Sequence, residues 1–356
     1  MNSTVIHERP GVYSSYDASA AISGGGAKKV VGVAAKAAKG ETNKVVMLTS
    51  YAAGIAAFGE DSEGASMAAL LRLLYLNGAA SVAAVAVAGT GAKEDYAAAF
   101  DLLGEVEDVG VMLCDSGELT VQQALRDSVA AASGARRERI AVAGGKNETV
   151  SELIERAKAL NSERVVLVGG EGLSGSGSSL GGVVTAAAVA GAIAAGTDPA
   201  VPLNGAELRG LYGLEKTYSD DEIDLLVRGG VTPLESSAGV VSVVRGITSR
   251  TTTADAADST WRELTTVLIV DDVIPQIRNA LRRKFNRAKN TAQTRSAIRS
   301  QVIVELENKR RAEIIDSFGD VVVSAAEEDA SVCEVAFSFA VAHGLNQIYL
   351  TAHITV

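Results

Sequence analysis

The clearest chemical pattern in the sequence is a set of three glycines in the stretch VVLVGGEGLSGSG. Gly170, Gly172 and Gly175 have the spacing G-x-G-x-x-G and follow a predicted strand. That spacing is typical of dinucleotide sites, where glycines let the backbone approach a pyrophosphate at a helix N-terminus. Here SGSGSS separates the glycines from the next predicted helix, and the acidic residue expected about 20 positions later is missing. A surface loop is the favoured interpretation, and a cytoplasmic α/β nucleotide-dependent enzyme that uses Gly170–Gly175 is the alternative.

Other candidate catalytic groups do not form a site. His7, His343 and His353 are the three histidines, and none stands beside a Cys or Ser in a known nucleophile signature. Asp271 and Asp272 are adjacent on a predicted helix, where neighbouring side chains point about 100° apart and do not converge. A position on the helix surface is the better interpretation for both. The sequence therefore predicts no catalytic residue, no metal site and no cofactor.

The strongest charge signal lies between Val273 and Val304, which hold eight basic residues and no acidic one. The basic residues are Arg278, Arg282, Arg283, Lys284, Arg287, Lys289, Arg295 and Arg299. One interpretation is a solvated helix whose basic end is favoured by the helix dipole. The other is docking to an acidic partner. An acidic protein surface suits this segment better than nucleic acid, because only Phe285 adds an aromatic ring and no nucleic-acid-binding fold is predicted.

Composition limits the classes of function. The chain has 356 residues, a net charge of −10 and 47% hydrophobic residues, which is typical of a globular protein and argues against binding nucleic acid over its whole surface. Cys114 and Cys333 lie far apart and form no CxxC pair. The longest apolar run, residues 181–196, is too short to span a bilayer, and the N-terminus lacks the apolar core of a signal peptide. An intracellular product without membrane insertion is expected.

Two patterns of secondary structure divide the chain. Over residues 21–238, predicted helices alternate with continuous apolar strands, which favours a largely parallel sheet with helices on both faces. Over residues 239–345, the alternating segment 240–253 precedes a long helix, 260–289. Predicted strands QVIVEL, DVVVSAA and SVCEVAFSFAVA follow that helix. The fold class is therefore α/β, with an α/β domain at 21–238 and an α+β domain at 239–345.

Both ends of the chain are predicted to be extended arms, at residues 1–20 and 346–356. The last eleven residues, NQIYLTAHITV, alternate apolar and polar side chains, as a strand does. Such a strand pairs within its own sheet or adds to the sheet of another chain. Exchange of arms between identical subunits that does not close into a ring produces a helical filament.

Several segments, in order along the chain, resemble contractile tail sheath proteins. ERPGVYSSYD (8–17) resembles the P-G-V-Y opening of that family, and residues 179–210 are similar to its helix, Asp turn and P-x-N segment. VVSVVRGITSRTTT with the following helix resembles the start of its C-terminal domain, and IYLTAHITV resembles its last strand. One departure is the segment after the Asp turn, where Pro199, Ala200 and Val201 replace a frequent aromatic.

The resemblance implies a structural subunit and not an enzyme. Sheath subunits polymerise helically around a tail tube in a metastable extended state, and their contraction drives the tube through a target cell envelope. The implied partners are the subunit itself, the tail tube protein, and baseplate and terminator proteins, with no direct binding of nucleic acid. The chain would be made in the bacterial cytoplasm as part of a phage tail or a phage-tail-like bacteriocin. A self-assembling shell protein of another kind is a further alternative.

The resemblance also suggests roles for particular residues. The arms would add strands to neighbouring subunits by β-augmentation, and the basic residues would face the tube or an acidic patch on the next subunit. The predicted arm residues are Val5, Ile6, Val12, Tyr13, Ile348, Leu350, Ile354 and Val356. The predicted basic docking residues are Arg278, Arg282, Arg283 and Lys284.

Overall fold

A computed structural model describes residues 29–62, 64–88 and 91–346. They form two compact units: residues 29–267 with 343–346, here called the sheet unit, and residues 268–342, here called the C-terminal unit. The limit between them falls inside a helix, later in the chain than the limit at 238/239 expected from the sequence. The three domain boundaries drawn from the sequence, at 20/21, 238/239 and 345/346, stay predictions, because a compact unit and a domain need not share their boundaries.

The sheet unit is built on eight strands. They are β1 (Val30–Ala35), β2 (Val45–Leu48), β3 (Val82–Ala86), β4 (Val109–Cys114), β5 (Ile140–Gly144), β6 (Val165–Gly169), β7 (Val231–Ser237) and β8 (Val240–Val243). Their order in the sheet is β2-β3-β1-β4-β5-β6-β7-β8. Neighbours from β3 to β7 are parallel, and the edge strands β2 and β8 are antiparallel. The predicted, largely parallel α/β fold is confirmed.

Seven helices cover the two faces of this sheet. One layer contains α1 (Tyr51–Phe58), α2 (Met67–Leu76) and α6 (Gly182–Ala195). The other layer contains α3 (Lys93–Gly104), α4 (Leu119–Gly134), α5 (Val150–Leu160) and α7 (Asp220–Arg228). Phe100, Leu125 and Leu153 from the second layer share one buried cluster with side chains of the strands. Burial of apolar surface on both faces is what parallel strands require.

Helix α6 packs closely because its residues are small. A Cβ atom on Gly191 would lie 2.8 Å from the carbonyl oxygen of Leu74 in α2. At the other end of α6, a Cβ atom on Gly144 would lie 2.1 Å from the carbonyl oxygen of Gly182, so β5 and the start of α6 touch through their backbones. In the part of the chain that the structure describes, no helix has both the length and the apolar character needed to cross a membrane.

The C-terminal unit combines helices with antiparallel strand pairs. Helix α8 (Leu264–Phe285) begins in the sheet unit and continues through the C-terminal unit, where α9 (Ala292–Arg311) follows. A short hairpin of β9 (Thr252–Thr253) and β10 (Ala256–Ala257) precedes α8. The last strands are β11 (Ile315–Phe318), β12 (Val322–Ala325), β13 (Cys333–Ala336) and β14 (Phe339–Val341), paired antiparallel as β11–β14 and β12–β13. The predicted α+β character is confirmed.

Three details of the predicted elements were wrong. QVIVEL, expected to be a strand, lies within α9, where Val302, Leu306 and Lys309 are buried at helical spacing. The long helix starts at Leu264, so Trp261 is a buried residue of the preceding turn rather than part of its apolar stripe. Within the alternating segment 240–253, regular strands cover only β8 and β9. QVIVEL and the segment 240–253 alternate locally without forming the expected strands, and the long helix was predicted to begin earlier than it does.

Candidate functional site

The last two turns of α8 present the exposed basic surface of the C-terminal unit. Arg282, Arg283 and Lys284, which we call the basic helix end, are all exposed. The Nε atom of Arg283 donates to the carbonyl oxygen of Asn279 at 3.3 Å. Lys284 Nζ donates to Oε1 of Gln301 in α9 at 2.7 Å. Cations are favoured at this position because the carbonyl end of a helix has partial negative charge.

The basic helix end lines an open groove. Asn279, Arg282, Arg283 and Asn286 surround a volume of about 390 Å³. Asn279, Arg282 and Arg283 share one face of α8 through their spacing of three and four residues, and Asn286 follows directly after the helix. Guanidinium groups bind carboxylates through two parallel hydrogen bonds, and the two amides add further donors. The groove is therefore suited to acidic side chains. Asn279 and Asn286 were not identified from the sequence, although their spacing from Arg282 and Arg283 indicates that they lie beside these arginines.

Arg278 lies apart from the other three predicted docking residues. Its exposed fraction is only 9%, and Ile277 and Leu281 beside it are also buried. A buried guanidinium does not present a surface to a partner. The docking role predicted for Arg278 remains untested, and we restrict the proposed surface to the basic helix end.

The predicted arm residues lie outside the described residues, as do His7 and His353. These arm residues are Val5, Ile6, Val12, Tyr13, Ile348, Leu350, Ile354 and Val356. Their roles stay predictions. His343, in contrast, lies within the described residues and is exposed.

In the glycine loop after β6, residues 170–175, the backbone of Gly172 is hydrogen-bonded within the protein. The backbone N–H of Gly172 donates to Thr185 Oγ1 at 2.8 Å, and the backbone N–H of Leu180 donates to the carbonyl oxygen of Gly172 at 2.9 Å. The cavity beside the loop holds about 40 Å³, whereas ligand pockets typically begin at about 300 Å³. Glu171 and Glu215 line this cavity, and burial together with Glu215 raises the pKa of Glu171. A cavity of this volume is too small for a dinucleotide.

Ligands of parallel α/β sheets usually bind where the strand order reverses, which here is between the carboxyl ends of β1 and β4. Asp115 fills this position. It accepts hydrogen bonds from the backbone N–H of Lys36 at 2.9 Å, from Ser66 Oγ at 2.5 Å and from the hydroxyl of Tyr96. Burial, followed by the charge of Asp115, raises the pKa of Tyr96, so the hydroxyl stays a donor. At the position where open α/β sheets usually bind ligands, the Asp115 carboxylate is therefore engaged in internal hydrogen bonds.

The expectation that Asp271 and Asp272 both lie on the helix surface was wrong for Asp272. Asp272 is 3% exposed and forms a buried ion pair with Lys309 of α9. The partner is 37 positions away in the sequence, so local spacing gave no sign of it. Among the described residues, no group of three or more His, Cys, Asp or Glu side chains is placed to hold a metal ion.

Comparison with known proteins identifies the family. The family model "Phage tail sheath protein central domain" matches residues 89–249, and "Phage tail sheath C-terminal domain" matches residues 256–355. The tail sheath protein of Bacillus phage SP01 is 31% identical over 257 residues, which are 70% of this chain and 43% of that protein. The chain therefore spans less than half the length of this curated relative.

Solved structures show the same fold at low sequence identity. A sheath tail protein from Desulfitobacterium hafniense has a TM-score of 0.70 and 13% identity, with 93% of this chain and 100% of that chain covered. The helical sheath of the anti-feeding prophage in its contracted state has a TM-score of 0.73 and 17% identity, with coverage of 98% and 99%. Two domain models matched in chain order, and a fold shared over nearly the whole chain, agree with the resemblance seen in the sequence. The chain belongs to the contractile tail sheath protein family.

Proposed function

We propose that this chain is the structural subunit of a contractile tail sheath. It polymerises helically around a tail tube and contracts to drive the tube through a target cell envelope. The observation that supports this most strongly is the ordered match of both tail sheath domain models, at residues 89–249 and 256–355. The particle is a phage tail or a phage-tail-like particle, and the chain is made in the bacterial cytoplasm before assembly.

The enzyme alternative is not supported. The relatives are sheath proteins, and the Gly170–Gly175 loop folds back on Thr185 instead of opening a helix. The energy of contraction then comes from new interfaces between subunits and not from a nucleotide. A metastable extended state stores this energy, because subunits released by the baseplate repack into contacts of lower free energy.

The proposed partners follow from the same family assignment. Copies of the chain associate through their terminal arms, which add strands to neighbouring subunits. The tail tube protein lies inside the polymer, and baseplate and terminator proteins contact its two ends. Relatives support the assembly of such polymers, since one solved neighbour is a helical sheath and another is a prophage baseplate. The basic helix end provides a surface for an acidic partner, either the tube or the next subunit.

Reversing the charge of the basic helix end is expected to impair sheathing without unfolding the subunit. The variant combines Arg282→Glu, Arg283→Glu and Lys284→Glu, all at exposed positions. Repulsion from an acidic partner should lower the fraction of sheathed tubes at least tenfold at low salt, and added salt should weaken the wild-type assembly by screening. Sheathed tubes are counted by electron microscopy, and circular dichroism checks the fold.

The matched control changes three exposed lysines of the sheet unit to glutamate, at Lys44, Lys146 and Lys158. It alters the net charge by the same amount and should leave sheathing close to wild type. Unimpaired sheathing by the basic-helix-end variant would remove this surface from the proposal.

A further inference from the structure

The C-terminal unit separates its charges along the chain. Residues 312–342 contain seven acidic residues and no basic one, opposite in sign to the basic stretch before them. The seven are exposed, and we call them the acidic strand face: Glu313, Asp316, Asp320, Glu327, Glu328, Asp329 and Glu334. They lie on, or beside, β11, β12 and β13. One unit of the fold thus has both an acidic and a basic surface.

These two surfaces do not neutralise each other within the subunit. Across the ranges that the structure describes, no salt bridge joins the acidic strand face to a basic residue. Arg283 and Lys284 instead donate to neutral oxygen atoms, the carbonyl of Asn279 and the amide of Gln301. Charges left exposed on both surfaces are available to another molecule.

The turn of the acidic strand face is held in place. The side-chain amide of Asn290 donates to the carbonyl oxygens of Ala330 and Val332, at 2.8 and 3.0 Å. The Ser331 side chain and then its backbone N–H, which donates to Asp329 Oδ1 at 2.7 Å, lower the pKa of the Asp329 carboxyl. Glu327, Glu328 and Asp329 are therefore exposed on a turn whose backbone is held by hydrogen bonds.

Helix α9 contacts both the basic helix end and the segment before β12. Its Gln301 contacts Lys284 of α8, whereas its Arg299 donates through Nε to the carbonyl oxygen of Val321, beside β12, at 2.7 Å. Residues two positions apart on a helix point about 200° from each other. Lys284 and Val321 consequently contact different sides of α9.

We propose that the acidic strand face of one copy docks on the basic helix end of the next copy. This inference rests on the proposed sheath function and names the partner of the basic surface. Guanidinium forks at Arg282 and Arg283 would bind the carboxylates of Glu327 and Glu328 in the groove. A contact between two different faces repeats along a helix when its rotation does not close a ring. Exposed ion pairs are individually weak and exchange readily, which suits a polymer that must rearrange.

Charge exchange between the two faces tests this proposal on the full chain without tube protein. One variant has Glu327→Arg and Glu328→Arg, a second has Arg282→Glu and Arg283→Glu, and a third combines all four changes. Polymer is measured by sedimentation at low salt and is inspected by negative-stain microscopy. We expect each two-residue variant to raise the critical concentration at least tenfold. The four-residue variant should return it to within about threefold of wild type, because the complementary charges are restored in exchanged positions.

The matched control is Glu105→Arg with Glu107→Arg, two exposed positions near the end of α3, and it should polymerise as the wild type does. Normal polymer from the Glu327/Glu328 variant would overturn the inference while leaving the proposed function intact. A four-residue variant whose critical concentration is as high as that of the Arg282/Arg283 variant would also overturn the inference and leave the proposed function intact. A wild-type chain that forms no polymer, with or without added tail tube protein, would overturn the proposed function as well.

Discussion

Replacing Lys309 with methionine is expected to destabilise the C-terminal unit by about 3–5 kcal/mol. The ammonium group of Lys309 pairs with Asp272, and their side chains are 11% and 4% exposed. Methionine keeps most of the buried volume but leaves the carboxylate of Asp272 without this cation in a site from which water is largely excluded. The loss is measured by hydrogen exchange at the amides of α8 and α9 in the full chain, since a chain with two compact units need not unfold in one step.

Two further variants separate loss of the charge pair from loss of packing. Arg310→Met removes a neighbouring cation that is 52% exposed and pairs with Glu307, so its effect should stay within about 0.5 kcal/mol. Adding Asp272→Leu to Lys309→Met should recover most of the lost stability, because an apolar pair of similar volume often replaces a buried ion pair at little cost. If Lys309→Met lowered the free energy of unfolding no more than Arg310→Met does, the buried ion pair would not be a major contributor to the stability of the C-terminal unit.

Replacing Arg156 with methionine is expected to destabilise the sheet unit by a similar amount, about 3–5 kcal/mol. Arg156 Nε donates to both carboxylate oxygens of Glu148, at 3.0 and 2.9 Å, and Nη1 donates to Gln122 Oε1 and to the carbonyl oxygen of Gly117, each at 3.0 Å. Gln122 in turn donates to the carbonyl oxygen of Gly144 at 2.8 Å. The network joins α4 and α5 to the loops after β4 and β5, so its loss leaves several buried acceptors unsatisfied.

Lys158→Met on the same helix is the matched control. Lys158 is 56% exposed and pairs with Glu155 one turn away, so its removal should change stability by less than about 0.5 kcal/mol. Thermal unfolding of the two variants is compared with wild type, and a double-mutant cycle with Glu148→Gln measures the coupling between Arg156 and Glu148. Equal melting temperatures for Arg156→Met and Lys158→Met would show that the network contributes little to stability.

The sheet unit was largely predictable because its signals are local. β1, β3, β4, β5 and β6 are continuous apolar runs, and helices such as α4 have apolar residues at helical spacing. Helix α7 was missed although Ser219 and Glu222 form a capping box at its start, a signal visible in the sequence. Helix α9 was misjudged because QVIVEL alternates like a strand, whereas its burial follows Val302 and Leu306.

The candidate site was predictable in charge but not in detail. The basic stretch identified the exposed Arg282, Arg283 and Lys284. Arg278 lies one turn after Ile274 and three residues before Leu281, so the apolar stripe of the helix already indicated its burial. The Asp272–Lys309 pair joins positions that only tertiary packing brings together, and no local pattern identifies such a pair.

The most direct test of the sheath function is electron microscopy of the purified chain, with and without residues 346–356. We expect striated hollow tubes from the full chain, and dispersed subunits from the truncated chain because it lacks the arm proposed to add a strand to a neighbour. Dispersed subunits from both chains, with and without added tail tube protein, would contradict helical assembly through the arms.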